Sequence, residues 1–269
     1  MMLTEITLGQ YFPGNSFVHR LDPRTKILLM SLYIAIVFVV KSLPVFLIPV
    51  VLLFVMFAFA HVPASYFFSA LKPMKWLLVF MFILNLFTTP GKTVWLEWNF
   101  IRITQEAVEQ AVYITLRLIL LVAGTSILTL TTSPIALTDG LEKLMSPLRK
   151  LRFPAHELAM MMTIALRFIP TLMEETDRIQ KAQMARGADF ESGNILQRAK
   201  SMIPVLVPLF VSAFRRADEL AMAMESRCYH GGEGRTRMRE LHFHARDLIS
   251  TLLFVIILVG IILLGKLPL

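Results

Sequence analysis

An all-α, polytopic membrane fold is what the sequence predicts: about five membrane helices, with a cytosolic domain of long amphipathic helices before the last of them. Three observations predict it. The 269-residue chain is 56% hydrophobic and only 17% charged; with Gly counted and Tyr omitted the apolar share is roughly 59%, above the usual ~45–50%. Five apolar stretches approach the ~17–25 residues that cross a bilayer as helix. Between the fourth and fifth lies an insert of different composition, carrying 17 of the 27 Lys and Arg and 14 of the 19 Asp and Glu. This composition excludes a disordered chain, and one cysteine excludes a disulfide scaffold. Three parts follow: 1–131, an N-terminal membrane part of about four helices; 132–247, the cytosolic helical domain; and 248–269, the last membrane helix.

The first span runs from Ile27 to Val40, ends at Lys41 and can extend into Leu43. Its long polar lead and the lack of a small-residue cleavage site argue against a signal peptide. Pro44 opens the second, Val45 to Ala60, which His61 and Pro63 close. The third, Trp76 to Phe87 after Lys72 and Lys75, barely spans even with Met74 and Thr88-Thr89. The fourth, about Val108 to Thr131, holds Arg117 in its outer half; the fifth, Leu248 to Leu264, is uninterrupted by charge. With the N-terminus in the cytosol, 22 Lys and Arg fall on that side, insert included, and four (Lys41, Lys92, Arg102, Lys266) on the other. Cytosolic loops carry the Lys/Arg excess, which sets this orientation for a multi-pass protein of the cell membrane. Trp95 and Trp98 in the external loop suit an interfacial aromatic belt.

Within the insert, Ser133-Pro134 is a helix start: a capping Ser, then Pro where its missing N–H costs nothing. Pro147 interrupts this helix and Pro154 begins the next. That helix, about Ala155 to Ala185, places Leu158, Met161, Met162, Ala165, Phe168, Ile169 and Leu172 at spacings of three and four, a helical apolar stripe. Gly187 ends it. A third helix, about Ile195 to Met224, repeats the pattern through Met202, Leu206, Phe210, Phe214 and Leu220, and Pro204 and Pro208 should kink it. The two long helices end alike. Asp177, Ile179, Ala182 and Arg186 match Asp218, Leu220, Ala223 and Arg227 at a 41-residue offset. Each arginine follows a small residue, Ala185 or Ser226, near a helix end: Gly187 for one, Tyr229 before the Gly231-Gly232 turn for the other. An arginine in a last turn is favoured by the helix dipole by roughly 0.3–1 kcal/mol and need do nothing else. Two equivalent arginines also fit a two-fold platform whose guanidinium forks contact carboxylates or carbonyls of a partner.

Catalytic patterns fail on inspection. Gly91-Lys92-Thr93 has Leu86 where a P-loop requires its first glycine, and it falls in the external loop. His156-Glu157 starts a zinc-protease motif that Met160 breaks. His242 and His244 read as a solvated pair, and Cys228 stands alone, so neither a metal nor another cofactor is expected. Arg117 is the one ionisable group well inside a span: a functional group by default, or a side chain snorkelling to the outer interface. Asn85 reads as a helix–helix hydrogen bond. A stand-alone secondary transporter would show intramembrane ionisable groups and inverted repeats, and a membrane-bound enzyme a clustered acid/base or metal set. No nucleic-acid motif is present.

Gly9-Gln10-Tyr11, Pro13-Gly14-Asn15-Ser16 and the string His19-Arg20-Leu21-Asp22-Pro23-Arg24-Thr25-Lys26 resemble the opening of the transmembrane (T) component of energy-coupling factor transporters. Ala185-Arg186-Gly187 is similar to that family's first Ala-Arg-Gly motif. Ser226-Arg227-Cys228 stands at the second and keeps only its arginine. The resemblance implies a non-catalytic subunit of an importer, embedded in the lipid bilayer and joining two ATP-binding-cassette ATPases to a membrane-embedded, substrate-binding S component. It implies that Arg186 and Arg227, flanked by Ala185, Gly187 and Ser226, dock the ATPases, which hydrolyse the ATP. It places the S component on the Met- and Phe-rich faces, at Met161, Met162, Phe168, Leu206, Phe210 and Phe214. The extended opening resembles the version shared among vitamin-specific S components more than the dedicated cobalt or nickel type.

Overall fold

A computed structural model describes residues 11–40, 44–91, 93–98, 101–151, 153–190, 192, 194–231 and 241–264. Gly9, Gln10, Lys41, Leu43, Lys92, Gly232 and Lys266, used in the sequence reading, lie outside the described residues. The chain divides into two compact units, one of residues 9–141 with 241–269 and one of 142–240.

The first unit holds all five apolar segments, each helical. Helix α1 is Pro23–Val39, α2 is Leu47–Ala60 behind a 3-10 turn Pro44–Phe46, α3 is Ala64–Leu71 and α4 is Lys75–Thr88. Helix α5 is Gln105–Thr131, α6 is Pro134–Met145 and α10 is Ala245–Leu264. Among the described residues, three stretches are long and apolar enough to cross a membrane: Ser65–Thr88, Gln105–Thr131 and Ala245–Leu263, of 24, 27 and 19 residues. The third segment is therefore longer than its apolar run. Pro73 sits in the first turn of a 3-10 segment, where no intrahelical N–H bond is lost, so α3 and α4 read on as one span. Helix α1, at 17 residues, extends about 25 Å.

Helix α1 is the centre of the unit. Tyr33, Ile36 and Val37 are fully buried against Leu120, Ala123 and Ile127 of α5, Leu52 and Leu53 of α2, and Phe254 and Ile261 of α10. The closest approach is at Gly124, where a Cβ would stand 2.4 Å from Tyr33 Cε1. Gly124→Ala is expected to cost about 1–3 kcal/mol by forcing the helices apart, read as a lowered thermal midpoint of the detergent-solubilised chain.

Arg117 is bonded within the unit, at the Val40 end of α1. Its Nη2 donates to the Val40 carbonyl at 3.2 Å and to the Tyr113 hydroxyl, which donates to the same carbonyl. The guanidinium also stacks over Phe38 and Tyr113. Arg117 thus satisfies a carbonyl that the end of α1 leaves without an intrahelical donor. Asn85 bonds within its own helix, Nδ2 to the Met81 carbonyl at 2.8 Å, and among the described residues to no other helix.

Residues between α4 and α5 form a two-stranded antiparallel hairpin, β1 Val94–Trp98 and β2 Ile101–Thr104, rather than an irregular loop. Its alternating Val, Trp, Ile and Thr content suits a pleated strand. Trp95 is exposed. Gly91 serves the hairpin's base, where a Cβ would clash with Thr104 Oγ1 and the Glu106 carboxylate.

The family-like opening is a polar lock at one end of this unit. With His19 Nε2 donating to the Phe12 carbonyl (2.9 Å), Nδ1 accepts from Ser16 Oγ (2.6 Å). A Cβ on Gly14 would stand 2.9 Å from that ring. Asp22 caps α1 by accepting from Arg24 N, with Pro23 in the first turn as helix starts favour. Its own N–H donates to Asp247 Oδ1 at 2.8 Å, and Asp247 Oδ2 accepts from His244 N at 2.9 Å, closing the start of α10. Lys26 Nζ donates to the His19 and Thr131 carbonyls at 3.1 and 2.8 Å. His242 and His244 are exposed.

In the second unit, α7 is Ala155–Ala185, α8 is Ile195–Ser201 and α9 is Ile203–Glu225. The third long helix of the sequence reading is thus two. The break falls at Met202, because Pro204 has no N–H to donate to the Lys200 carbonyl, and Pro204 becomes a first-turn proline of α9. Pro170 and Pro208 lie inside continuous helices. At the start of α7, His156 Nδ1 lies 3.0 Å from Glu142 Oε1.

Candidate docking ends of two helices

The helices that carry Arg186 and Arg227 end in the same hydrogen-bonded loop. At the first end, Gly187 has φ +89°, its N–H donates to the Met184 carbonyl (2.9 Å), and Ala188 N–H donates to the Gln183 carbonyl (3.0 Å). At the second, Cys228 has φ +55°, its N–H donates to the Glu225 carbonyl (2.9 Å), and Tyr229 N–H donates to the Met224 carbonyl (3.0 Å). Both are Schellman closures, with a left-handed residue just past the cap. Arg186 and Arg227 each precede that residue, and each donates its own N–H to the carbonyl three back, at 3.1 Å.

The second helix, α9, thus closes just past Glu225 with Cys228 as its left-handed residue, ahead of the Gly231 turn. A non-glycine residue in the left-handed region costs roughly 1–2 kcal/mol. Cys228→Gly is expected to stabilise this end by about 0.5–1 kcal/mol, the unfolded-state entropy of glycine offsetting part of the relief. A thermal melt of the variant against the unaltered chain checks it.

Arg186, Arg227, Ala185, Gly187 and Ser226 are all exposed. Neither guanidinium joins an ion pair among the described residues. Each points from a helix C-terminus, where a cation is favoured, and keeps its planar fork free for an external acceptor. Of the six apolar residues singled out, Met161, Met162, Leu206, Phe210 and Phe214 are exposed, Phe214 at 69%. Phe168 is half-buried instead, lining a crevice with Ser212, Arg215, Arg216, Glu219 and Leu220. Ile203, Val207 and Val211 extend the exposed apolar face of α9.

One set of residues was not found by matching the two sequence copies. Glu175 on α7 accepts from Ser212 Oγ (2.5 Å) on one carboxylate oxygen and from Arg216 Nη2 (2.7 Å) on the other. Glu175 and Arg216 are themselves separated by the 41-residue offset. They are opposite in charge, so a search for identical residues passes over them. The ion pair is partly buried, its side chains 22% and 31% exposed.

The sequence profile of the family described as Cobalt transport protein (CbiQ) matches residues 14–238. Several relatives bear the name Energy-coupling factor transporter transmembrane protein EcfT. The one from Thermosediminibacter oceani is 54% identical over 261 residues, 97% of this chain and 98% of the relative. That from Clostridium kluyveri is 55% identical over 252 residues, 93% of each. That from Bacillus subtilis is 46% identical over 261 residues, again 97% and 98%. With near-complete coverage at this identity, and with three membrane-length apolar stretches among the described residues, the protein belongs to the family of energy-coupling factor transporter transmembrane proteins.

Proposed function

We propose that the chain is the non-catalytic coupling subunit of an importer, transmitting ATP-driven motion of two ATP-binding-cassette ATPases to a membrane-embedded S component for vitamin uptake. The observation that carries this reading is the pair of equivalent helix ends, each closed by the same loop and each presenting an exposed arginine. Arg186 and Arg227 enter grooves of the two ATPases, with Ala185, Gly187 and Ser226 small enough to let the helix end approach closely. The ATPases hydrolyse the ATP.

The exposed apolar faces of α7 and α9, with Met161, Met162, Leu206, Phe210 and Phe214, and Phe168 at their edge, carry the S component. Methionine is flexible and polarizable, which suits a surface that repacks against different partners. ATP binding closes the ATPase pair, the docked helix ends follow, and the apolar faces reorient the S component so that its substrate faces inward. Residues 1–131 and 248–269 form the membrane part and 132–247 the cytosolic coupling domain. The N-terminus lies on the cytosolic side of the cell membrane.

A dedicated cobalt or nickel importer is the second reading, favoured by the description of the matching family profile. The test is co-expression of the tagged chain with candidate ATPases and an S component, purification, and uptake into proteoliposomes. Both ATPases should co-purify, and labelled vitamin should accumulate only with ATP and all components. Accumulation of labelled cobalt instead selects the second reading. Uptake by this chain alone overturns the coupling role.

A further inference from the structure

We propose that the contact of Glu175 with Arg216 and Ser212 is a fulcrum. It fixes the crossing of α7 and α9, so that a displacement of Arg186 at one end is matched by a displacement of Arg227 at the other. Glu175 and Arg216 are then positioning residues for coupling. What moves the ends rests on the docking reading above; the fulcrum itself is a property of this chain.

Four observations converge on it. First, Glu175 and Arg216 occupy the same place in the two copies, and equivalent positions touch each other only close to a local two-fold axis. Secondly, the arms are equal: eleven residues separate Glu175 from Arg186, and eleven separate Arg216 from Arg227. At 1.5 Å per residue each arm is about 16 Å, three helical turns. Thirdly, the arms are stiff. Pro170 and Pro208, and the break at Met202, all lie before the crossing, and no proline interrupts α7 or α9 between crossing and tip.

Fourthly, the contact is directional. Both carboxylate oxygens are engaged, one by a hydroxyl and one by a guanidinium. Charge-assisted bonds of this kind fix an angle and a register that an apolar ridge could slip past. The Lys181–Asp177 pair nearby lies within one helix and is more exposed, so it holds no crossing. Past the fulcrum, Gln183 Nε2 donates to the Pro204 carbonyl (3.4 Å). The tip-bearing arm of α7 thus lies along the start of α9, the helices run antiparallel, and the two tips stand on opposite sides of the crossing. A change of crossing angle at Glu175 therefore displaces both tips together.

The test uses the full chain and its own single cysteine. Spin labels on Cys228 and on Ala185→Cys report the tip-to-tip distance by pulsed electron resonance. The unaltered fulcrum should give one narrow distribution, and Glu175→Gln a broad one. The charge exchange Glu175→Arg with Arg216→Glu should restore the narrow distribution. In the assembled complex, Glu175→Gln should leave ATPase co-purification intact while lowering uptake per ATP hydrolysed by about tenfold, within the range for coupled contacts. The exchanged pair should recover most of that loss. An unchanged distance distribution in Glu175→Gln overturns the fulcrum. So does a broad distribution that the exchange leaves broad, because general packing would then set the crossing. Failure of the unaltered chain to bind ATPases overturns the docking reading instead, and the spin-label distances still decide the fulcrum.

Discussion

Reversing both tip charges, Arg186→Glu with Arg227→Glu, is expected to abolish ATPase co-purification and ATP-driven uptake while leaving the chain folded in the membrane. Both side chains are exposed and outside any ion pair among the described residues. Within the chain the change therefore costs only the favourable helix-end charge, about 0.3–1 kcal/mol at each tip. A charged group sequestered in an interface is a different matter, since removing its partner costs about 2–5 kcal/mol. Two such losses, each with a repulsion added, exceed what a transient interface of ordinary affinity can absorb.

The single reversals should fall between, because one engaged tip keeps the other at high local concentration. Arg→Lys at both tips keeps the charge but not the fork, so it should weaken association without abolishing it. The measurement is recovery of ATPase per mole of purified chain, with the thermal midpoint as the control. Unchanged recovery in the double reversal would remove the docking role from both arginines.

How far the architecture is legible depends on what marks each element. Helix α7 is read to the residue because Pro154 and Gly187 bracket it and its apolar stripe keeps one phase throughout. Ser133-Pro134 likewise marks α6, with Ser133 Oγ accepting from Ala136 N. The span that ends at Thr88 reads short because Lys72-Pro73 looks like a terminus, whereas a proline in the first turn lets helix continue through it. The hairpin before α5 escapes because two strands of five and four residues are too brief for their period to stand out from an apolar loop.

At the candidate docking ends, the arginines and their shared offset are visible in the chain, but the closure at Cys228 is not. Glycine is the usual left-handed residue, and nothing in the sequence marks a cysteine as the one that closes the helix. The Glu175–Arg216 contact escapes for a different reason. Comparing copies finds likeness, and a contact between copies is made by complementarity.

Asp247→Ala is expected to be the most damaging single substitution in the membrane unit, costing about 4 kcal/mol or more. Asp247 is 2% exposed, and its two oxygens accept from the backbone N–H groups of Asp22 and His244. Truncation strands both donors, one of them fully buried, at about 1–3 kcal/mol for such a group. It also removes the largest opposing charge felt by Lys26, itself 7% exposed, with only Asp22 beside it to replace that field. Lys26 and Asp247 are not in ion-pair contact, so the lost attraction is a longer-range one and smaller than the cost of the two stranded donors. The stranded donors alone are a large fraction of a domain's stability.

Asp247→Asn keeps one acceptor and loses the charge, so it should cost less than Asp247→Ala. Adding Lys26→Met to Asp247→Asn should recover part of the loss by removing the uncompensated ammonium. A double-mutant cycle on thermal midpoints in detergent isolates the Lys26–Asp247 term, and strict additivity would show that the two groups do not interact. The outcome also separates two meanings of the family-like string His19 to Lys26. If it is a lock that ties α1 to α5 and α10, its loss lowers the folded yield and every partner contact together. Tip reversal should instead leave the yield intact and remove ATPase association together with the uptake that depends on it.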